Sequence, residues 1–501
     1  MKRLAAGIAM ALMVPSAWGL DFAVDASVLV SHAFPLNGVN DGPGHVRGGI
    51  SDVSDQYREM GISMVRTHDY YGPCDYSTIF PSSYDPNNPW GANAYDNSSY
   101  DFSDSDATVA EIEALGADVF FRLGESWNNA SPHNRRPPQD KYGTVAHVSR
   151  HIAKHYGADT GRVTMWEFWN EPNHDMFWDK SGYPNENAAL EPFFGLYAWV
   201  AQGLKNKFPD IMVGGPGAAG GSSQDIQDFC RKFCRSIKKK SAPLDFYSWH
   251  SYNRNGDGPY IFVTQANMVR HALNTRGYPN ALSVLGEWNA GSARAGGPNP
   301  SQEALERRNM LWNMDGAAFT ASALIYLNVY SDVRYAFRYR GDIHSGDHGY
   351  GLVDTHGDIK KPGYAFKAYS YLFPQHNTIA RPEMYMLGCG GHNTDGRAIM
   401  ATMDGNRRVI NILVSFWKGH GPTFSVDVTG VPKSWTSPRV EHYLLDKTHD
   451  FELMDEGAFD NSDGAYTFSR QGDGQDHSEV HLIRLYDATQ FPYTVTTAND
   501  G

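Results

Sequence analysis

Apolar residues fall into two alternating textures along the first two thirds of the chain. Short continuous runs, four to eight residues in the manner of buried strands, alternate with longer stretches whose apolar positions repeat every three to four residues. The spacing predicts a helix over 51–60, stopped by Gly61, then a strand over 62–69, "ISMVRTHD". A helix over 107–115 stops at Gly116 and leads into "ADVFFRLGES", 117–126. Helix 142–156 precedes "RVTMWEFWNEP", 162–172, and helix 192–208 precedes "IMVGGPG", 211–217. Helices over 226–238, 264–274 and 302–319 precede the runs "LDFYSWHSY" (244–252), "LSVLGEWN" (282–289) and "ALIYLNVY" (323–330). With a first strand near 28–33 this makes eight strand–helix units. Such alternation implies a parallel sheet, and eight units imply a closed (β/α)₈ TIM barrel over 20–370. An open doubly wound sheet is the alternative. No Gly-rich phosphate loop follows the first strand, so a nucleotide site has no support.

Beyond residue 366 the texture changes. "RAIMATMD", "RRVINILVSFW", "TFSVDVTG", "VEHYLLD" and "EVHLIRLYD" are short, β-rich and separated by Gly, Asp and Asn. They predict an antiparallel β-sandwich over 371–501, to which residues 20–30 are candidates to add a strand. At the other end, Lys2 and Arg3 precede an apolar run ending at Val14, followed by Pro15 and the small-residue pattern Ala17-Trp18-Gly19. This reads as a signal peptide over 1–19, which implies a periplasmic or secreted protein. The run is too short to span a bilayer, so no membrane insertion is expected.

Charge and cysteine content narrow the partners. A net charge of −13, with only short basic clusters at Arg135-Arg136 and Lys238 to Lys240, argues against nucleic acid. The 4 cysteines do not define a pairing, and the i, i+4 spacing of Cys230 and Cys234 reads as one apolar helix face. No cofactor and no metal are expected. Oligomeric state is not encoded in any pattern of the sequence.

Barrel chemistry sits at the carboxyl ends of the strands. Those ends carry Arg66, His68 and Asp69; Arg122 and Glu125; Asn170 and Glu171; His250 and Tyr252; Glu287 and Asn289; Asn328 and Tyr330. Two carboxylates stand out, Glu171 before Pro172 and Glu287 before Trp288. Paired carboxylates across a barrel mouth suit glycosidic-bond cleavage, in which one protonates the leaving oxygen and the other attacks the anomeric carbon. Side chains alternate along a strand, which puts Met165, Glu167, Trp169 and Glu171 on one face, with Glu167 the deeper carboxylate. Glu167 is expected to pair with Arg66 or Arg122. The apolar surroundings of Glu171 are expected to keep it protonated, and the neighbouring aromatics offer faces for sugar rings.

"FWNEPN" on the fourth strand, "GEWN" on the seventh and "GLVDTHGDIKKPGYAF" after the eighth resemble clan A glycoside hydrolases, most closely family 39. "RRPPQDKYGTVAHVSRHIAKHYG" and "DFYSWHSY" are similar to that family too. Its members include β-xylosidases and α-L-iduronidases. The resemblance implies a retaining glycosidase with Glu171 as acid/base and Glu287 as nucleophile. It implies that Asn170 bonds the sugar 2-hydroxyl, that Arg66 keeps Glu287 ionised and that Tyr252 hydrogen-bonds Glu287. His68 and His250 would contact the terminal sugar. Trp127, Trp288 and Asn328 complete the candidate substrate-binding set.

Two positions depart from the xylosidase pattern: Asp69, where Gly is expected, and Glu125, an added carboxylate. Both add hydroxyl acceptors and disfavour an anionic sugar, unless Arg122 neutralises Glu125. A neutral oligo- or polysaccharide is the expected substrate, with galactan- or arabinogalactan-type chains as an alternative to xylosides. A non-catalytic carbohydrate-binding barrel and a metal-dependent hydrolase using His68, Asp69 and His250 are the rivals. The first would lack a catalytic carboxylate, and the second finds no His-x-His pair on the first strand.

Overall fold

The computed structural model describes residues 20–44, 52–68, 71–126, 136–253, 256–291, 301–343, 349–373, 383–419, 423–472 and 477–491. The predicted leader 1–19, Asp69 and Trp127 lie outside them. Among the described residues no helix is long and apolar enough to cross a membrane.

The first strand, β1 (Leu20–His32), belongs to a separate sheet and not to the barrel. The barrel closes through β2 (Gly38–Asn40), β3 (Met64–Arg66), β4 (Asp118–Leu123), β5 (Met165–Phe168), β6 (Met212–Ala218), β7 (Phe246–Tyr252), β8 (Leu282–Asn289) and β9 (Val333–Arg338). Every neighbouring pair is parallel, and β9 closes onto β2. Phe120, Met165, Phe246, Val284 and Phe337 fill its lower interior as a cluster of their own. The outward residues of the same strands, such as Phe121, Trp166, Phe168, Trp249 and Leu285, join the larger core beneath the helices.

Two barrel strands differ from expectation. Residues 28–32 of the expected first strand are the largely exposed second half of β1, while the true first barrel strand is only Gly38–Asn40. "ALIYLNVY" is the last part of a helix, Met314–Tyr330, and the eighth strand follows it. That helix is buried almost throughout because it lies between two layers. Arg338 of β9 reaches Thr320 on one side, and Ser415 of the second sheet bonds Ser322 and the Ala318 carbonyl on the other. A helix covered all round has no polar stripe, so its period vanishes from the sequence.

The remaining strands form one curled sheet of 9 strands with β1: β10 (Met384–Gly390), β11 (Arg397–Asp404), β12 (Val409–Phe416), β13 (Phe424–Thr429), β14 (Pro438–Leu445), β15 (Asp450–Ala458), β16 (Ala465–Arg470) and β17 (Glu479–Asp487). It encloses its own core of Phe22, Val24, Ile412, Val414, Phe416, Val426 and Ile483, the sandwich expected for the tail. Residues 20–25 of β1 pair with β13 in parallel, and residues 23–25, 29, 31 and 32 pair with β10 antiparallel. On its other face Met400, Leu413 and Leu482 pack against the barrel's helical layer.

Candidate active site

Arg66, at the end of β3, organises the barrel mouth. It is fully buried, and each of its three nitrogens has a partner: Nε donates to Glu167 at 2.7 Å, Nη1 to Asn40 at 2.8 Å and Glu287 at 2.9 Å, and Nη2 to Asn170 at 2.8 Å. Glu167 therefore pairs with Arg66. Arg122 is taken by Asp75 and Ser126 instead. A buried carboxylate is tolerable only with such a partner. Two glycines make room for this layer. A Cβ at Gly217 would stand 3.1 Å from Arg66 Nη2, and one at Gly286 would stand 3.2 Å from His250 Nε2.

Glu171 reaches the mouth through a kink. Strand β5 ends at Phe168, and the next residues include two left-handed non-glycines, Trp169 at φ 80° and Glu171 at φ 42°. Such backbone costs about 1–3 kcal/mol per residue and persists where the surroundings enforce it. Here Trp169 N bonds the Leu123 carbonyl and Glu171 N the Gly217 carbonyl, both at 2.7 Å. Simple alternation therefore fails beyond Phe168. Trp169 turns away into the core, its Nε1 donating to the Phe177 carbonyl, while Asn170 and Glu171 both face the mouth.

The two glutamates meet over His250. His250 Nδ1 lies 2.9 Å from Glu171 Oε1 and 3.5 Å from Glu287 Oε2. One atom from each of the three residues falls within 4.8 Å of the others. Tyr252 donates to Glu287 Oε2 at 2.5 Å. Burial, then the charge on Glu287, pushes the Tyr252 hydroxyl well above its ordinary range, so it stays a donor. Glu287 is the deeper carboxylate, its side chain 5% exposed against 15% for Glu171. Among the described residues this trio is also the one grouping that could ligate a metal. A divalent cation there would face the Arg66 guanidinium across Glu287, so the donor set suits an acid–nucleophile pair better.

Both histidines are neutral. Burial lowers His250 to about 4, with Glu287 opposing and Arg66 reinforcing the shift. Burial, followed by Arg122 and Arg66, holds His68 well below its ordinary value. His68 Nε2 is 3.6 Å from Glu287 Oε1, and its Nδ1 has no hydrogen-bond partner among the described residues. Its ring rests near Phe177 at 5.9 Å.

Three other candidates are placed differently. Glu125 is buried and accepts from Ser77 N at 3.0 Å and Ser77 Oγ at 2.7 Å, which ties it to the short helix Tyr76–Ile79. Trp288 points outward, stacked on Phe366 and edge-on to Phe262, so it is no sugar platform. Asn328 lies on helix Met314–Tyr330 and bonds the Phe34 backbone and Tyr369, away from the mouth, because the strand it was assigned to is a helix. The sequence reading also missed Asn40, which sits on the three-residue strand, and Tyr339 and Tyr350. These two rings stand 6.1 and 5.9 Å from Tyr252 and follow the true eighth strand.

This chemistry has counterparts among known proteins. Residues 55–373 match the family model "Glycosyl hydrolases family 39". A β-xylosidase of Geobacillus stearothermophilus is 35% identical over 337 residues, 63% of this chain and 60% of the relative, so the match spans less than two thirds of that enzyme. A glucosidase from Croceicoccus marinus superposes with a TM-score of 0.72 at 22% identity, over 94% of this chain and 99% of the other. A monomeric β-xylosidase from Caulobacter crescentus gives 0.65 at 17% identity, over 93% and 99%. At these identities the superpositions speak for the fold. With a family model matched over more than half of its length and a polar barrel mouth of this construction, the chain belongs to the glycosyl hydrolases of family 39.

Proposed function

We propose that the chain is a retaining glycoside hydrolase acting on a neutral oligo- or polysaccharide, with Glu171 as acid/base and Glu287 as nucleophile. The observation that carries this reading is the approach of the two carboxylates, with oxygens within 4.8 Å of each other. Retaining enzymes hold them about 5–5.5 Å apart, and inverting enzymes about 6.5–9.5 Å apart to admit a water.

In the first step Glu287 attacks the anomeric carbon while Glu171 protonates the departing oxygen. Arg66 and Tyr252 hold Glu287 by one oxygen each, Oε1 and Oε2, which fixes the direction in which the carboxylate faces the substrate. His250 Nε2 has no partner among the described residues. Placing the imidazole proton on Nδ1 therefore leaves an unfilled acceptor and not an unfilled donor. Nδ1–H then donates to Glu171 Oε1 and orients the carboxyl group for proton transfer. In the second step Glu171 takes a proton from a water whose oxygen attacks the anomeric carbon, and the bond from that carbon to Glu287 breaks, releasing the sugar and the free carboxylate. Asn170 gives its carbonyl to Arg66, so its amide hydrogens are the end available to a sugar hydroxyl. His68 Nδ1, buried and unpaired among the described residues, suits a second hydroxyl.

The printed name of the 35% identical relative, β-xylosidase, supports a β-linked neutral sugar. Asp69 keeps galactan- and arabinogalactan-type substrates open as a second reading. Secretion to the periplasm or medium fits a polymer-derived substrate and follows from the leader-like segment 1–19. A panel of aryl β-glycosides and plant and algal polysaccharides, read by chromatography and proton NMR of the first product, tests both activity and stereochemistry. A product of retained configuration from at least one neutral glycoside is expected. Inversion, or no hydrolysis of any glycoside, would remove the reading.

A further inference from the structure

Four arginines rank among the largest fully buried side chains: Arg66, Arg122, Arg338 and Arg340. Three are neutralised inside the fold. Arg66 pairs with Glu167 and Glu287, Arg122 with Asp75, and Arg340 with Asp41 and Asp342. Arg338 has no carboxylate partner among the described residues. It ends β9 on the parity opposite to Phe337, so it points out of the barrel wall towards helix Met314–Tyr330. Its Nη1 donates to Thr320 Oγ1 at 2.8 Å, a neutral acceptor, while Nε and Nη2 find none among the described residues.

A second donor lies beside it in the same state. Trp288 is paired with Arg338 in the β8–β9 register, and the guanidinium stands 5.7 Å from its ring centroid. Trp288 is fully buried, and its Nε1 also has no acceptor among the described residues. Burial lowers Arg338 to about 9, which leaves it a cation at neutral pH. A buried cation without a counter-charge is strongly unfavourable, and unmatched N–H groups add to that cost. The Trp288 face offsets only part of it.

We propose that Arg338 and Trp288 form a buried site for a halide anion, chloride in practice, on the outer side of the barrel wall behind Glu287. The unmatched groups are all donors, which selects an acceptor-only ligand. The neighbouring Phe262 and Phe366 rings favour a small, weakly hydrated ion over sulfate or phosphate. Bound there, the ion joins β9 to the strand that carries Glu287, one residue before Trp288. The site stands independently of the glycosidase reading, since none of its groups faces the mouth.

Thermal unfolding of the whole protein in sodium chloride and in sodium gluconate at equal ionic strength tests it, together with bromide-soaked crystals measured at the bromine edge. Chloride is expected to raise Tm saturably, and an anomalous peak is expected between Arg338 and Trp288. Arg338→Met should abolish the chloride response. Trp288→Phe, which keeps a ring and removes the donor, should raise the chloride midpoint roughly tenfold, the equivalent of one hydrogen bond. Equal Tm in the two salts, a bromide peak absent from this site, or an unchanged response in both variants would overturn the proposal.

Discussion

Inside the barrel, Phe120, Met165, Phe246 and Val284 close the lower interior with hydrocarbon, sulfur and aromatic rings. Two residues further along the same four strands stand Arg122, Glu167, Ser248 and Gly286, and beyond them Asn170, His250 and Glu287. The lower layer derives its stability from burial and close packing. The upper layer removes charges from water and recovers the loss only through matched partners, as Arg66 does with Glu167, Asn40, Asn170 and Glu287. A chain built for stability alone would carry the apolar layer upward. The change of rule within two residues therefore marks where the fold serves chemistry.

The sharpest break in that comparison is Glu287→Ala. Hydrolysis should fall by on the order of 10⁴-fold or more, since on the proposed mechanism Glu287 is the group that forms the covalent intermediate. Circular dichroism should show the fold retained. Glu171→Ala comes next, with a loss of about 10²–10⁴-fold for natural glycosides. Its glycosylation step should be largely spared for very acidic leaving groups, which depart without a proton. Stopped-flow bursts with two aryl leaving groups would separate these cases, and equal losses would contradict the acid role.

In the lower layer the expectation reverses. Phe246→Ala should cost about 3–5 kcal/mol of stability in denaturant unfolding. The kcat of the protein that stays folded should change far less than in either glutamate variant. A smaller effect concerns pH. His250 is lowered to about 4 in the fold, against about 6.5 unfolded. The unfolded chain therefore binds a proton first as pH falls, and stability drops between about pH 6.5 and 4 by up to about 3 kcal/mol. Above that window the contribution is fully present. His250→Gln should flatten this part of the stability curve, and an unchanged slope would show that His250 is not held neutral.

The legible parts of the sequence were those with contrast. Strands β3 to β8 stand between amphipathic helices that end at glycines such as Gly61 and Gly116, and their rims display Arg66, Glu171, Tyr252 and Glu287. Contrast was missing at both ends of the barrel. Gly38–Asn40 is too short to register, while the exposed Val28, Leu29 and Val30 look like a core strand. Helix Met314–Tyr330 is covered on both sides, so its period was lost, and Asn328 was misplaced with it. The turn of Trp169 into the core depends on a left-handed backbone held by Leu123 and Gly217, which no alternation rule foresees. Trp288 failed for a related reason: it flanks Glu287 in sequence but takes the outward parity.

The most direct test is covalent labelling by an activated 2-fluoro glycoside of the configuration the enzyme accepts. The fluorine slows breakdown of the glycosyl–enzyme ester, so the nucleophile keeps the sugar long enough for peptide mapping by mass spectrometry. The label should fall on Glu287, reach one sugar per chain and be absent from Glu287→Ala. A label on Glu171, or no covalent species while hydrolysis proceeds, would contradict the account.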